Sequence, residues 1–167
     1  VFITHTHMDH FVGFDRLLRV CLGREKTLHF FGPAGFLRNI EGKLSGYTWN
    51  LVNNYNHQLT ITATEIRKSS FFTQTYECGN RFLPDGPPQK NDRSGRIIYQ
   101  DSGLAVYAEI LDHDIPCLGF VLEEPFRINI RKDVLDSMGL PPGPWLNRFK
   151  QAIYNGYATG PIANVLL

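Results

Sequence analysis

Val1-Phe2-Ile3-Thr4-His5-Thr6-His7-Met8-Asp9-His10-Phe11-Val12-Gly13 is the stretch that decides how the rest of the chain is read. It places four potential metal ligands, His5, His7, Asp9 and His10, within six residues. In an extended or loosely turned backbone the side chains at i and i+2 point the same way. His5 and His7 can therefore present imidazole nitrogens to one cation while Asp9 and His10 reach a neighbouring one. Imidazole and carboxylate donors suit zinc, and manganese or iron as well. Two metals about 3.5 to 4 Å apart clamp a phosphodiester and activate a water between them, which makes hydrolysis the natural reaction of such a pair. A polar loop that happens to hold histidines is the bland alternative. A strand that enters H-x-H-x-D-H and leaves as a helix is far more specific than any lone histidine.

Moving outward, Val1-Phe2-Ile3 is a strand remnant, and Phe11, Phe14, Leu17, Leu18 and Cys21 fall at helical spacing with Arg16, Arg19 and Arg24 off that stripe. This predicts one amphipathic helix of about three turns with its N-terminus at the ligands. Thr27 to Phe31 reads as a buried strand, Gly32-Pro33 breaks it, and Phe36, Leu37, Ile40 and Leu44 mark a second helix. Strands are expected at Leu59 to Ile66, where neither face is cleanly apolar, and at Phe71 to Glu77, Ile97 to Gln100, Leu104 to Leu111 and Cys117 to Leu122. Gly79 to Gly95, centred on Pro84-Asp85-Gly86-Pro87-Pro88, is expected to be a long turn-rich loop. Lys132 to Met138 and Trp145 to Tyr154 are expected as short helices, separated by prolines that no helix interior tolerates. Strands grouped in runs favour stacked sheets flanked by helices over a doubly wound parallel sheet.

The 167 residues, 43% hydrophobic and 13% aromatic, fit one domain with a sizeable core. A formal charge of +1 gives no global electrostatic case for nucleic acid or an anionic membrane, so any such partner has to come from a local patch. Cys21, Cys78 and Cys117 are odd in number, lie far apart and form no C-x-x-C pair, which suits a reducing compartment. No apolar run approaches the roughly 20 residues that span a bilayer, and no secretory leader is visible. These features predict a soluble, cytoplasmic protein without a membrane partner. Val1 in place of Met, and an uncharged tail through Ile162, Val165, Leu166 and Leu167, predict structure interrupted at both ends.

The opening run resembles the strand, ligand loop and helix start of the metallo-β-lactamase superfamily, and within it of ribonuclease Z, the tRNA 3′-processing endonuclease. Phe31-Gly32-Pro33-Ala34-Gly35-Phe36 is similar to that family's next strand and glycine-rich turn, and Leu111-Asp112-His113-Asp114-Ile115-Pro116-Cys117-Leu118-Gly119-Phe120 to the segment supplying its next ligand. The resemblance implies an α/β (α+β) αββα sandwich, incomplete over residues 1–167, with two Zn2+ per complete site. His5, His7 and His113 would hold one zinc, and Asp9 and His10 the other, with Asp9 also accepting the proton of the attacking water. His29 and His57 stay outside this set.

Gly139-Leu140-Pro141-Pro142-Gly143-Pro144-Trp145-Leu146 resembles the glycine–proline motif of the arm with which ribonuclease Z grips tRNA. An exosite-like arm over 125–155 is thus expected, with Arg131, Lys132, Gly143, Pro144, Arg148 and Lys150 toward RNA. Residues 126–150 carry five basic side chains against two acidic, while the preceding 125 residues carry twelve against fourteen. A local basic segment of this kind suits contact with the phosphate backbone. Trp145 either anchors the arm or stacks on a base.

The pattern departs from the family in several places. No acidic residue after His113 sits in a Gly-Asp-Thr-like context, and no histidine follows position 113. The bridging aspartate and last histidine of the family are therefore missing, which implies a partial chain, inactive alone. The 103 positions from His10 to His113 exceed the compact family interval, and the surplus is read as an insertion at 79–95. Met8 replaces a glycine, and Asp15-Arg16 a small-residue turn. The leading function is a zinc-dependent endoribonuclease that trims tRNA 3′ ends, acting on a tRNA precursor as a homodimer. The alternatives are a hydrolase of a small phosphodiester or other ester, and a non-catalytic module that binds RNA or a partner subunit.

Overall fold

The structure, a computed structural model, describes residues 1–156, so the expectation for Ile162, Val165, Leu166 and Leu167 lies outside the described residues. The chain divides into two compact units, 1–124 and the part from Pro125 onward.

In the first unit two short helices follow the ligand run, α1 (Met8–Phe11) and α2 (Gly13–Cys21). One continuous helix was expected. The register instead tightens at the junction, where Val12 N–H donates to Met8 O but Asp15 N–H reaches back only three residues, to Val12 O. The apolar stripe survives the break, with Phe11, Phe14, Leu18 and Cys21 all buried. Strand β1 (Lys26–Gly32) leads through Gly35, whose φ of 85° needs a residue without a side chain, into α3 (Phe36–Ser45).

Next come β2 (Leu59–Ile66) and β3 (Ser70–Glu77), then β4 (Gln89–Asp92), and these strands form a sheet in the order β1-β2-β3-β4. The β1–β2 pair is parallel and the others antiparallel. A second sheet, in the order β5-β6-β7, is wholly antiparallel and consists of β5 (Ile97–Gln100), β6 (Ala105–Asp112) and β7 (Pro116–Glu123).

Helices α1 to α3 cover one face of the first sheet. Phe30, Leu59, Ile61, Ala63 and Tyr76 on that face pack with Phe14, Phe36, Ile40 and Leu44 in a single core. Residues of opposite parity, Phe31, Ile66 and Phe71, point to the other face and join Ala108, Leu118 and Phe120 of the second sheet. The mixed α/β plan with two sheets and flanking helices is the class expected.

The ambiguity of Leu59 to Ile66 resolves once Glu65 is seen to be buried on the helix-facing side. Its carboxylate accepts the Leu37 N–H at 3.3 Å and the Arg67 Nε–H at 2.7 Å. Burying this anion is tolerable because it is paired and hydrogen-bonded.

The stretch Gly79 to Gly95 is a correction. It is not wholly loop, because β4 pairs Ser70 with Asp92 and Thr73 with Gln89. Gln-Lys-Asn-Asp has no apolar alternation and all four residues are exposed, so the strand left no hydrophobic signal. Earlier in the segment, Phe82 is buried against Trp49, with ring centroids 4.7 Å apart, and Pro84 bridges Tyr76. At its end the Arg93 guanidinium donates to Arg67 O at 3.2 Å and Ala108 O at 2.6 Å, tying the segment to both sheets.

The β5–β6 hairpin turns on Asp101. The Gly103 N–H, the Tyr99 hydroxyl and the Leu104 N–H hold its carboxyl below the usual carboxylate range. With the folded pKa depressed, the stabilisation is present above the unfolded value of about 3.9 and is lost as pH falls through the folded one. Amide-exchange protection at Gly103 and Leu104 is therefore expected to drop below about pH 4. Asp101→Ala should show the reduced protection already at neutral pH, and equal protection in both proteins would remove this role.

The second unit contains α4 (Lys132–Ser137) and α5 (Trp145–Tyr154). Gly139, at φ 67°, ends α4, with Leu140 N–H donating to Leu135 O and Gly139 N–H to Asp136 O. The loop to α5 is closed by Trp145, whose indole N–H donates to Pro141 O at 2.9 Å. Among the described residues no helix is long and apolar enough to cross a membrane.

Candidate metal centre

The ligand run is fixed to the fold on both sides. Ile3 N–H donates to Phe31 O at 2.8 Å, and Phe2 pairs as a parallel bridge with Phe31, setting the segment beside β1. From the second sheet, Leu118 N–H donates to Thr4 O at 2.8 Å. That bond draws the β6–β7 hairpin, and His113 at its tip, against a run more than a hundred positions earlier. Asp114, at φ 59°, makes the tight turn, a conformation that aspartate tolerates better than most residues. The run ends when His7 becomes the N-cap of α1 and its carbonyl accepts the N–H groups of His10 and Phe11.

The result is a cluster in which His5, His7 and His113 each offer one ligand atom, all within 4.8 Å of one another. Their ring centroids form a triangle with sides of 4.9, 5.2 and 6.2 Å. Imidazoles bound tetrahedrally at the usual zinc–nitrogen distance have centroids roughly 5 Å apart, so the donor set and its spacing fit a zinc ion. His10 stands beside this triangle, its ring centroid 4.3 Å from that of His5, and its Nε2 lies 3.4 Å from the Asp9 carboxylate. Asp9 and His10 thus share one outward-facing position next to the three histidines, and both remain exposed.

His5 is the buried member. Its Nδ1 lies 3.0 Å from Thr4 Oγ1 and 3.9 Å from Cys117 Sγ, which leaves Nε2 as the nitrogen for a cation. Burial, and then the neighbouring His10, His7 and His113, push its pKa below the ordinary histidine value against the opposing pull of Asp9. The imidazole is therefore held neutral with its lone pair available.

His29 lies exposed in β1, and His57 sits 3.4 Å from Glu25; neither belongs to the cluster. Asp15, an anomaly in the sequence, is occupied by Lys43 Nζ at 2.5 Å and the Tyr47 hydroxyl at 2.9 Å, tying α2 to α3. Met8 is exposed beside the ligands.

Sequence reasoning missed the groups behind the ligands, namely Thr4, Cys117 and the Asn39 side chain, which donates to Thr6 Oγ1 at 2.7 Å. The only signal for them was parity, since Thr4 and Thr6 alternate with His5 and His7.

In the second unit, Lys132 and Arg148 are exposed, without an ion pair among the described residues, and Lys150 is half-buried. Arg131 pairs with Asp133. Gly143 lies against the Trp145 ring, where an added Cβ would sit 3.2 Å from Cδ1. The hydrogen bond to Pro141 makes Trp145 an anchor of its own loop.

No family model matches the chain. It is 36% identical over 152 residues to a ribonuclease Z from Deinococcus radiodurans, covering 88% of the chain and 44% of that protein. It is 29% identical over 157 residues to ribonuclease BN of Proteus mirabilis, covering 90% and 40%. It is 28% identical over 172 residues to human zinc phosphodiesterase ELAC protein 1, covering 92% and 46%. The chain spans less than half the length of these curated relatives. This similarity runs along about nine-tenths of the chain's own length, so the chain is similar throughout to a part of ribonuclease Z and its zinc phosphodiesterase relatives.

Proposed function

We propose that this chain is the metal-site part of a zinc phosphodiesterase that cuts tRNA precursors at their 3′ side. The observation that carries the reading is the convergence of His5, His7 and His113 within 4.8 Å from two segments far apart in sequence. These three hold one zinc, and Asp9 with His10 contributes to a second. Bound zinc supplies Lewis acidity and lowers the pKa of water to near neutrality.

The chain's own residues do the rest. Thr4 orients the His5 ring, and Asp9, exposed at the rim, accepts the proton released as water attacks the phosphodiester. Exposure of Asp9 and His10 suits a bulky substrate that approaches from solvent. Lys132, Arg148 and Lys150, with Arg131, Gly143 and Pro144, form the RNA-gripping arm. Its support is the local basic excess and the glycine–proline loop closed by Trp145. The family resemblance further implies a homodimer in which one subunit's arm serves the other's site.

The test uses the natural polypeptide containing this chain. Lys132, Arg148 and Lys150, changed together to Gln, should weaken cleavage of a 3′-extended tRNA precursor by about tenfold or more at moderate salt. The salt dependence of binding should flatten by about one unit per lost phosphate contact. Cleavage of bis(p-nitrophenyl) phosphate should stay unchanged. Equal loss on both substrates would remove the arm's role, and an unsubstituted protein that cuts only the small ester would replace the tRNA reading.

A further inference from the structure

We infer that Asn39 is a positioning residue for the metal ligands, acting through Thr6 to hold His5 and His7 converged; the inference rests on the metal reading above. In an extended segment Thr6 points away from its two neighbours, so whatever anchors it sets the angle at which both imidazoles project. The backbone of the run is tied at Ile3, at Thr4 and again where the His7 carbonyl starts α1. Between these ties, the hydrogen bond from Asn39 Nδ2 to Thr6 Oγ1, at 2.7 Å, is the hold on its middle.

An anchor positions only if it is itself fixed. Asn39 stands one turn into α3, a helix set in place by three independent contacts. The Glu65 carboxylate, buried and held by Arg67, accepts the Leu37 N–H in the first turn. The Phe36 ring lies against Gly32 so closely that no Cβ fits there. Lys43 and Tyr47, at and just beyond the other end of the helix, grip Asp15 of α2.

A rigid path therefore runs from the sheet through Glu65 and α3 to Asn39, and from Thr6 to the two histidines. Outer partners that aim metal-binding histidines usually bond the ring itself, as Thr4 does for His5. Here a second device works on the backbone between two ligands. His7, which lacks a ring partner of the kind His5 has among the described residues, gains its aim from it.

The experiment titrates Co2+ into the metal-free natural polypeptide, reading the visible ligand-field bands and the dissociation constant. Asn39→Ala and Thr6→Val should each weaken the first Co2+ by about tenfold or more, the range seen for lost outer partners of metal ligands. Both should alter the band envelope. The double variant should be no weaker than either single one, because both remove one bond. Thr6→Ser, which keeps the hydroxyl, should bind as the parent does, and the melting midpoints of the metal-free proteins should stay close to the parent value.

Affinities within twofold of the parent, additive losses in the double variant, or losses that merely follow a fall in melting midpoint would overturn the inference and leave the metal centre standing. A parent protein that binds no Co2+ would overturn both.

Discussion

His113→Ala should lower the affinity of the chain for its first zinc by more than about a hundredfold, and His7→Ala should do the same. Loss of a group that merely supports a ligand costs 10- to 100-fold, and loss of a ligand costs more. Each histidine is one of three donors lying within 4.8 Å of one another, so removal of any one leaves two. His57→Ala is the control, because that side chain faces Glu25 instead. Competition against a chelator of known affinity measures the constants, and metal counted by mass spectrometry after gel filtration measures the stoichiometry. His113 is the more informative of the pair. It alone comes from the second sheet, so an unchanged affinity in His113→Ala would mean that the β6–β7 hairpin takes no part in the site.

Gly32→Ala should cost about 3 kcal/mol of folding stability, the upper part of the range for overpacking a close-packed core. The added Cβ would lie 2.3 Å from Phe36 Cγ, with the two Cδ atoms at 2.5 and 2.7 Å. These atoms are at the root of the ring and cannot swing aside as the tip of a flexible chain would. Phe36 is fully buried against Phe11, with centroids 5.8 Å apart, so the strain passes to the start of α3. Urea unfolding monitored by circular dichroism measures the loss. Shortening Phe36 to Ala alone should cost about 3 to 5 kcal/mol. The double variant should cost less than the sum of the two single changes, since the clash and the cavity offset each other. A change within about 0.5 kcal/mol for Gly32→Ala would place it with ordinary surface substitutions and refute the packing argument.

Much of this fold was legible because its elements carry their own periodicity. Leu59, Ile61 and Ala63 alternate, Phe36, Ile40 and Leu44 recur at helical spacing, and proline marks the breaks before α3 and α5. β4 was not legible, since its pairing rests on backbone hydrogen bonds and all four side chains face water. The junction at Val12 escaped for a related reason, as the apolar stripe runs through it undisturbed.

The four candidate ligands of the opening run could be proposed from spacing alone, and the structure brings His5 and His7 of them together with His113. His113 could be named only through resemblance, because spacing says nothing about a residue brought in by another sheet. Asn39 and Cys117 were invisible and Thr4 was marked only by its alternation with the histidines, for an ordinary threonine or asparagine gains a role only from the partner that tertiary structure puts beside it.

The bond from Leu118 N–H to Thr4 O joins ends of the first unit that synthesis separates by more than a hundred residues. Closing so long a loop is entropically costly and is deferred until nearer contacts have formed. If His5, His7 and His113 hold the zinc as proposed, high-affinity binding would come late in folding, and cation added to the unfolded chain would meet only the local His5 to His10 run. Once the hairpin has docked, zinc at a hundred times its dissociation constant stabilises the folded state by about 2.7 kcal/mol. On the proposed ligand set, metal supply would then act chiefly on how long the finished structure lasts, and little on how fast it is reached.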